Sequence, residues 1–240
     1  MTDLVVAKFG GTSVADFDAM NRSVDVALLD ANTRVVVLSA SAGVTNLLVA
    51  LAEGLEPGER FAKLDAMRQI QFNILERLRY PNVIRDEIER LLENITTLAE
   101  AASLASSTAL TDELVSHGEL MSTLLFVEIL RERGIAAQWF DVRKIMRTND
   151  RFGRAEPDIA ALSELTQQLL APRLAEGVVI TQGLYWQRSQ RPHHHAWPRR
   201  QRLYRRATRR SAKRHPRRHL DRCSGYLYHR PARRPGGQTH

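Results

Sequence analysis

The sequence has little cysteine and no long apolar run, and each shortage excludes a class of protein. Its 240 residues contain one cysteine, Cys223, so the chain can form neither an internal disulfide nor a tetrathiolate zinc site. No window approaches the roughly 20 apolar residues of a membrane-spanning helix, and the first residues lack a basic and apolar leader. We therefore expect a cytoplasmic protein without a membrane partner. The apolar share of 43% can fill a core, which excludes disorder of the whole chain.

Acidic residues are almost absent from the last 57 residues, and this explains the formal net charge of +8. Residues 1–183 contain 18 Lys and Arg and 26 Asp and Glu. Residues 184–240 contain 17 Lys and Arg and a single acidic residue. The second segment also lacks Val, Ile, Phe and Met. Such a segment has few apolar side chains to bury, and its positive charges repel one another. We expect a folded part, residues 1–183, followed by a disordered Arg-rich tail, residues 184–240.

The first 183 residues have the pattern of an α/β protein. Short runs rich in Val and Ile at residues 4–7, 35–38 and 178–180 are typical of buried strands in a parallel sheet. Two apolar series with helical spacing lie between them and predict an antiparallel helix pair. The first series is Phe61, Leu64, Met67, Ile70, Ile74 and Leu78, and the second is Ile84, Ile88, Leu91, Ile95 and Leu98.

A third helix is predicted from Thr111, as its N-cap, to about Arg133, where Gly134 can adopt the left-handed cap conformation. Residues 136–140 then predict a strand. Inside this helix stands Gly118, which costs roughly 1 kcal/mol relative to alanine and so indicates a close approach to the helix. The adjacent Glu119 could meet a substrate ammonium group, whereas His117 is more typical of a hydrogen-bonded structural histidine.

Lys8, Gly10 and Gly11 follow the first predicted strand and precede a helical pattern. Two glycines at this point allow a sharp turn that presents backbone amides and the positive end of the helix dipole to an anion, and Lys8 adds a full charge. The spacing fits neither a Walker A loop nor the dinucleotide-binding glycine pattern. The alternative is a tight turn with a solvated lysine.

The second predicted strand is followed by small and hydroxylic residues, 39–46, that include Ser39 and Thr45. Small residues at the carboxyl end of a parallel strand leave room for a ligand beside the first loop. Alternatively, these hydroxyls only cap a helix that begins near Leu47.

Four segments together carry a family resemblance: residues 8–13 (Lys-Phe-Gly-Gly-Thr-Ser), residues 39–45, residues 116–119 (Ser-His-Gly-Glu) and residues 181–183 (Thr-Gln-Gly). In this order and spacing they resemble aspartokinases of the amino-acid kinase family, most of all the lysine-sensitive bacterial members. The resemblance implies a three-layer α/β/α sandwich, here incomplete at its C-terminal side. It also implies transfer of the ATP γ-phosphoryl group to the side-chain carboxylate of L-aspartate, the first step towards lysine, threonine and methionine.

The resemblance assigns a role to six residues. Lys8, as the catalytic cation, would hold the phosphates of ATP together with Gly10 and Gly11. L-Aspartate would be held by Thr45 and Glu119, with Ser39 lining the same pocket. Mg²⁺ would accompany ATP. Because an aspartate carboxylate with a pKa near ~3.9 is ionised at pH 7, the reaction needs no general base. Members of the family oligomerise, but the regulatory part is missing from this chain.

The resemblance stops near Gly183. Aspartokinases continue with Gly-Arg-Gly-Gly-Ser-Asp-Tyr-Thr, whereas this chain has Arg-Arg-Gln-Arg-Leu-Tyr at residues 199–204. Codons for residues 194–204 can be chosen so that reading one nucleotide later gives Thr-Thr-Leu-Gly-Arg-Gly-Gly-Ser-Asp-Tyr. The same shift over residues 219–232 gives Ile-Trp-Thr-Asp-Val-Pro-Gly-Ile-Tyr-Thr-Thr-Asp-Pro. Our hypothesis is that the tail is a frameshifted reading, which leaves an inactive or weak enzyme with one exposed sheet edge.

Two other functions stay open. The Arg-rich tail, with Tyr204, Tyr226 and Tyr228 available for stacking, would make a non-enzymatic arm that binds nucleic acid without sequence specificity. Alternatively, the fold is retained with another substrate of amino-acid kinases, namely glutamate, acetylglutamate, uridylate or carbamate. The Lys-Phe-Gly-Gly-Thr-Ser and Ser-His-Gly-Glu segments favour aspartate.

Overall fold

The computed structural model of the chain describes residues 5–143, 171–183, 219–223 and 226–228. These residues form six strands, six α-helices and one 3-10 turn over Gly11–Val14. In chain order, the strands and helices are β1 (Val5–Phe9), α1 (Phe17–Leu28), β2 (Thr33–Leu38), α2 (Val44–Ala52), α3 (Pro57–Leu75), α4 (Asn82–Leu104), α5 (Thr108–Glu132), β3 (Ala137–Phe140), α6 (Ala171–Leu174), β4 (Val178–Gln182), β5 (His219–Cys223) and β6 (Tyr226–Tyr228).

The described strands form one sheet in the order β3-β4-β2-β1-β5-β6. The first five strands of this order are parallel to their neighbours, and β6 is antiparallel to β5. Buried side chains on one sheet face, including Ala7, Val36 and Ile180, join the main core with residues of α1 to α5. Val35, Val37 and Val142 form a smaller cluster of their own. The predicted α/β class with a mainly parallel sheet is confirmed.

The predicted antiparallel helix pair is confirmed as α3 and α4. Two ion pairs join this hairpin, Arg68 to Glu89 at 3.1 Å and Arg85 to Glu76, the residue that follows α3, at 2.8 Å. One member of the predicted apolar series is not part of the core, because the side chain of Phe61 is 72% exposed. The buried residues of α3 begin only at Met67, so its first turns extend beyond the core.

The N-cap of helix α5 lies four residues earlier than the sequence predicts. Its N-cap is Ser107, whose Oγ accepts a hydrogen bond from the Leu110 amide at 3.2 Å. The prediction of Thr111 as the N-cap is wrong, because the Thr111 hydroxyl instead donates to the Ser107 carbonyl inside the helix. At the other end, Gly134 has the expected left-handed conformation with a φ of 75°. The strand predicted at residues 136–140 is confirmed as β3.

Two short strands come from the Arg-rich tail, which we expected to be disordered. The prediction is wrong for these residues, since β5 pairs with β1 in a register that places His219 opposite Val6 and Asp221 opposite Lys8. Parallel pairing uses backbone N–H and C=O groups and so does not require the branched aliphatic residues that the tail lacks. Strand β1 thus has β2 on one side and β5 on the other. The other tail residues lie outside the described part.

Among the helices that the structure describes, none combines the length and apolar character needed to cross a membrane.

Candidate functional site

The carboxyl ends of three neighbouring strands meet at one edge of the sheet. Phe9 is paired with Leu38, and Leu38 is paired with Gln182. The pairing continues into the following residues, because the Ser39 amide donates to the Phe9 carbonyl at 3.2 Å and the Gly183 amide donates to the Leu38 carbonyl at 2.8 Å. The structure therefore aligns three segments that are far apart in sequence, at the edge where open α/β sheets bind ligands.

The two glycines after β1 have different surroundings. A Cβ added to Gly11 would lie 3.0 Å from the Ala40 carbonyl oxygen, and the Ala42 amide donates to the Gly11 carbonyl at 3.1 Å. The absence of a side chain at Gly11 thus lets the loops after β1 and β2 touch. Around Gly10 a Cβ would meet nothing within 4 Å, so this position borders open space. Lys8 precedes them, half-buried in β1.

The helix end beside these loops belongs to α2. Between the glycine loop and α1 lies a 3-10 turn, and the Asp16 carboxylate caps α1 by accepting from the Ala19 amide at 2.7 Å. Helix α2 begins at Val44, after Gly43 with a φ of 85°, and carries no side-chain cap. The start predicted near Leu47 is therefore too late. Thr45 lies in the first turn of α2, where unpaired amides and the dipole favour an anion.

Gly118 allows α5 to pack closely against the second loop and α2. A Cβ at this position would lie 2.8 Å from Cβ of Ala40, 3.1 Å from Cδ1 of Leu48 and 3.2 Å from Cγ1 of Val44. The predicted close approach is confirmed, and the groups that approach belong to the protein. Nearby, the Ser122 hydroxyl donates to the Ser39 carbonyl at 2.7 Å and ties the same loop to α5.

Glu119 follows Gly118 and lies against the end of β4. The residue is buried, with 8% of its surface exposed. Its Oε1 would lie 3.4 Å from a Cβ added to Gly183. A carboxylate is thereby placed beside Gly183, whose amide donates to the carbonyl of Leu38, the last residue of β2. The structure brings together the segments of all six predicted site residues: Lys8, Gly10, Gly11, Ser39, Thr45 and Glu119.

His117 has a structural environment, as expected. It is 3% exposed, and its Nδ1 donates to the Glu113 carbonyl at 2.7 Å. Burial lowers the pKa of His117 and outweighs the hydrogen bond to the Glu113 carbonyl and the Glu113 charge, which raise it; the positive charges of Arg143 and Arg90 lower it further. The neutral form is therefore favoured.

Sequence reasoning missed a polar cluster formed by Asp141, Arg143 and Gln182. The Gln182 Nε2 donates to Asp141 Oδ1 at 2.8 Å. The Arg143 guanidinium donates to both carboxylate oxygens, from Nε to Oδ1 at 2.9 Å and from Nη2 to Oδ2 at 2.7 Å. Burial alone would raise the pKa of Asp141, but the hydrogen bonds from Arg143 and Gln182 hold it below its usual value. No local pattern indicates this cluster, because Asp141 and Gln182 meet only through the pairing of β3 with β4.

No group of three or more His, Cys, Asp or Glu side chains that could hold a metal ion occurs within the described part of the chain.

Comparison with protein families identifies the class to which this chain belongs. The model of the amino acid kinase family matches residues 3–195, and the chain belongs to that family. It is similar to lysine-sensitive aspartokinase 3 of Escherichia coli strain K12, with 82% identity over 183 residues that cover 76% of this chain and 41% of that protein. It is also 30% identical over 180 residues to the chloroplastic aspartokinase 1 of Arabidopsis thaliana, covering 70% of this chain and 30% of that one.

Solved structures agree with this classification. E. coli aspartokinase III in complex with aspartate and ADP matches with a TM-score of 0.72 and 83% identity, over 75% of this chain and 40% of that chain. The aspartate kinase of Clostridium acetobutylicum, at 19% identity, supports the fold alone, with a TM-score of 0.53 over 76% of this chain and 39% of that chain. The chain spans about two fifths of the length of the E. coli protein.

Proposed function

We propose that this chain contains the substrate-binding part of an aspartate kinase, which transfers the γ-phosphoryl group of ATP to the side-chain carboxylate of L-aspartate and yields 4-phospho-L-aspartate. The observation that carries the proposal is the identity of 82% over 183 residues to an aspartokinase. The meeting of the four motif segments at one sheet edge supports it. The relative crystallised with aspartate and ADP supports the same pair of ligands.

The first loop is proposed to hold the phosphates. Gly10 borders open space and Gly11 allows contact with the second loop, so backbone amides can approach an anion without interference from side chains. Lys8 is proposed to neutralise charge on the transferring oxygens. The uncapped N-terminus of α2 adds a positive dipole near the same loops.

L-Aspartate is proposed to lie between the second loop and α5. The Glu119 carboxylate would accept hydrogen bonds from the substrate ammonium group, since a buried carboxylate is stabilised by a cationic partner. Thr45, in the first turn of α2, and Ser39, whose carbonyl is tied to Ser122, would contact the substrate beside it.

Catalysis in this arrangement consists of positioning and charge neutralisation. The ionised side-chain carboxylate attacks the γ-phosphorus, the bond from that phosphorus to the bridging oxygen of ADP breaks, and ADP leaves. Lys8 and the loop amides would stabilise the negative oxygens during transfer. Mg²⁺, which binds phosphate oxygens with few protein ligands, would supply further positive charge.

We further propose that the present chain is inactive or weakly active, because its tail replaces kinase sequence. The match to the E. coli protein covers 183 residues, the same number as in the acidic segment, residues 1–183, that ends at Gly183. Translation of the tail in a shifted frame would explain its charge without any selected function. The comparisons offer no support for the nucleic-acid-binding alternative, and most of the residues that would carry it lie outside the described part.

An aspartyl-hydroxamate assay tests the proposal with two proteins: the 240-residue chain and the product of the same gene with the frame restored after Gly183. The restored protein should form hydroxamate from L-aspartate and ATP, should lose this activity on Lys8→Met substitution, and should not accept L-glutamate. The 240-residue chain should show little or no turnover. A restored protein that ignores L-aspartate but phosphorylates another amino-acid kinase substrate would contradict the proposed substrate.

A further inference from the structure

The polar cluster of Asp141, Arg143 and Gln182 has no role in the proposed chemistry, yet it adjoins the candidate site. It lies at the carboxyl ends of β3 and β4, on residues that are 9% exposed for Asp141 and 3% exposed for Gln182. Buried polar side chains cost stability unless their partners are all in place. The cluster meets this condition through side-chain and backbone hydrogen bonds.

Both polar atoms of the Gln182 amide are anchored. Its Nε2 donates to Asp141 Oδ1 at 2.8 Å, and its Oε1 accepts from the Val142 amide at 3.0 Å. The next residue, Gly183, donates its amide to the Leu38 carbonyl and lies beside Glu119 Oε1. Fixing the Gln182 side chain therefore fixes the backbone that faces the Glu119 carboxylate.

The cluster is also linked to the helix that carries Glu119. Arg143 pairs with Asp141 at 2.7 Å. Besides the hydrogen bond to Asp141, the negative charge of Glu113 raises the pKa of Arg143, and besides burial, the positive charge of Arg143 lowers the pKa of His117. Helix α5 and the segment after β3 therefore interact electrostatically. The Asp141 carboxylate connects Arg143, near α5, to Gln182 on β4.

We propose that Asp141 is a positioning residue, which acts through Gln182 to hold Gly183 against Glu119 and so orients the carboxylate that receives the substrate ammonium group. This inference rests on the proposed function. It assigns Asp141 no contact with substrate. Loss of its carboxylate would release the Gln182 side chain, loosen the end of β4 and disorder the wall beside Glu119.

The test compares Asp141→Ala, Asp141→Asn and a matched control, Glu128→Gln. The asparagine variant keeps an oxygen that can accept from Gln182, whereas the alanine variant does not. Glu128 is a suitable control because its side chain is 9% exposed and pairs with Arg131 at 3.0 Å, similar to the Asp141 pair with Arg143. Glu128 also lies on α5, more than two turns beyond Glu119.

The first readout is amide hydrogen exchange at Gly183, measured by NMR on the ligand-free 240-residue chain. Local opening of the β4 end should raise the exchange rate about tenfold or more in Asp141→Ala. The rate should stay within about threefold of the original in Asp141→Asn and Glu128→Gln. An unchanged Gly183 rate in Asp141→Ala would overturn the positioning role whatever the protein binds.

The second readout is ligand affinity by calorimetry on the same chain, with KM values measured on the frame-restored enzyme. Asp141→Ala should weaken L-aspartate binding about tenfold and leave Mg-ADP binding unchanged, while Asp141→Asn restores most of the affinity. Equal weakening of both ligands, or none, would also overturn the inference. Failure of the unsubstituted proteins to bind L-aspartate would contradict the proposed function instead, and the Gly183 exchange rate would still decide whether Asp141 holds the strand end.

Discussion

At the scale of single residues, two helical glycines with opposite surroundings show what the close contact at Gly118 contributes. Gly118→Ala should destabilise the protein, because its Cβ would lie 2.8 Å from Cβ of Ala40, which is attached directly to the backbone and cannot turn away. Overpacking costs about 1–3 kcal/mol, and alanine returns roughly 1 kcal/mol of helix propensity. We expect a net loss of about 1 kcal/mol in the free energy of unfolding, measured in urea.

The matched control is Gly58→Ala in α3, where a Cβ would meet nothing within 4 Å. This variant should gain up to about 1 kcal/mol, because alanine restricts the unfolded chain and fits the helix. If both variants had the same stability, the close packing at Gly118 would have no energetic importance.

His117 should make stability depend on pH. Its pKa is lower in the folded protein than the unfolded value of about 6.5, so the unfolded chain binds the proton more readily. The stability from the neutral imidazole is complete above that unfolded pKa and is lost as the pH falls towards the folded pKa.

The free energy of unfolding, compared at pH 7, 6 and 5 for the original chain and for His117→Gln, checks this expectation. The difference between the two proteins should shrink as the pH falls, by at most about 1.4 kcal/mol per unit. The other seven histidines lie in residues 184–240 and are the same in both proteins, so their contributions to the free energy of unfolding cancel in the difference. A difference that stays constant across this range would contradict the burial of a neutral imidazole.

At the scale of elements, two hydroxyl residues near the start of α5 look alike in sequence but have different roles in the helix. Ser107→Ala should cost about 1 kcal/mol, because the Leu110 amide loses its cap acceptor. Thr111→Ala should cost less than about 0.5 kcal/mol, since its hydroxyl bonds only to a carbonyl inside the helix. Thermal unfolding of the two variants measures the contrast, and a larger loss from Thr111→Ala would move the helix start back to the position that the sequence favoured.

The strands and long helices could be predicted from sequence because their patterns are local. Periods of three and four residues identified α3 and α4, and Val-rich runs identified β1, β2 and β4. Helix starts were harder to predict, because several Ser, Thr and Asp residues compete as caps over a few positions and the backbone decides among them. Asp16 shows the consequence: it caps α1, whereas α2 begins after Gly43 without a side-chain cap.

At the scale of the whole molecule, the pairing of β5 with β1 bears on the frameshift hypothesis. Cys223 pairs with Tyr226, so two residues separate β5 from β6. Aligned with these positions, the shifted reading gives Ile-Trp-Thr-Asp-Val, then Pro-Gly, then Ile-Tyr-Thr. That sequence has β-branched and aromatic residues in both strands and turn residues between them.

Replacing residues 219–228 by these ten residues should therefore stabilise the chain, by about 1–3 kcal/mol, because apolar side chains would cover the sheet beside β1. The control is the same ten residues in scrambled order, and urea unfolding measures both. Equal stability of the two replacements would show that this place in the sheet does not select an apolar hairpin.

Sequence by itself determined the α/β class and most elements, because periodicity is a property of neighbouring residues. The residues proposed to hold phosphate and L-aspartate come from the resemblance of four motif segments to aspartokinases. Tertiary structure alone decided which strand ends meet, which helix end faces the loops, what packs on Gly118 and how Asp141 reaches Gln182. These features depend on contacts between segments far apart along the chain, and such contacts exist only once the strands have paired.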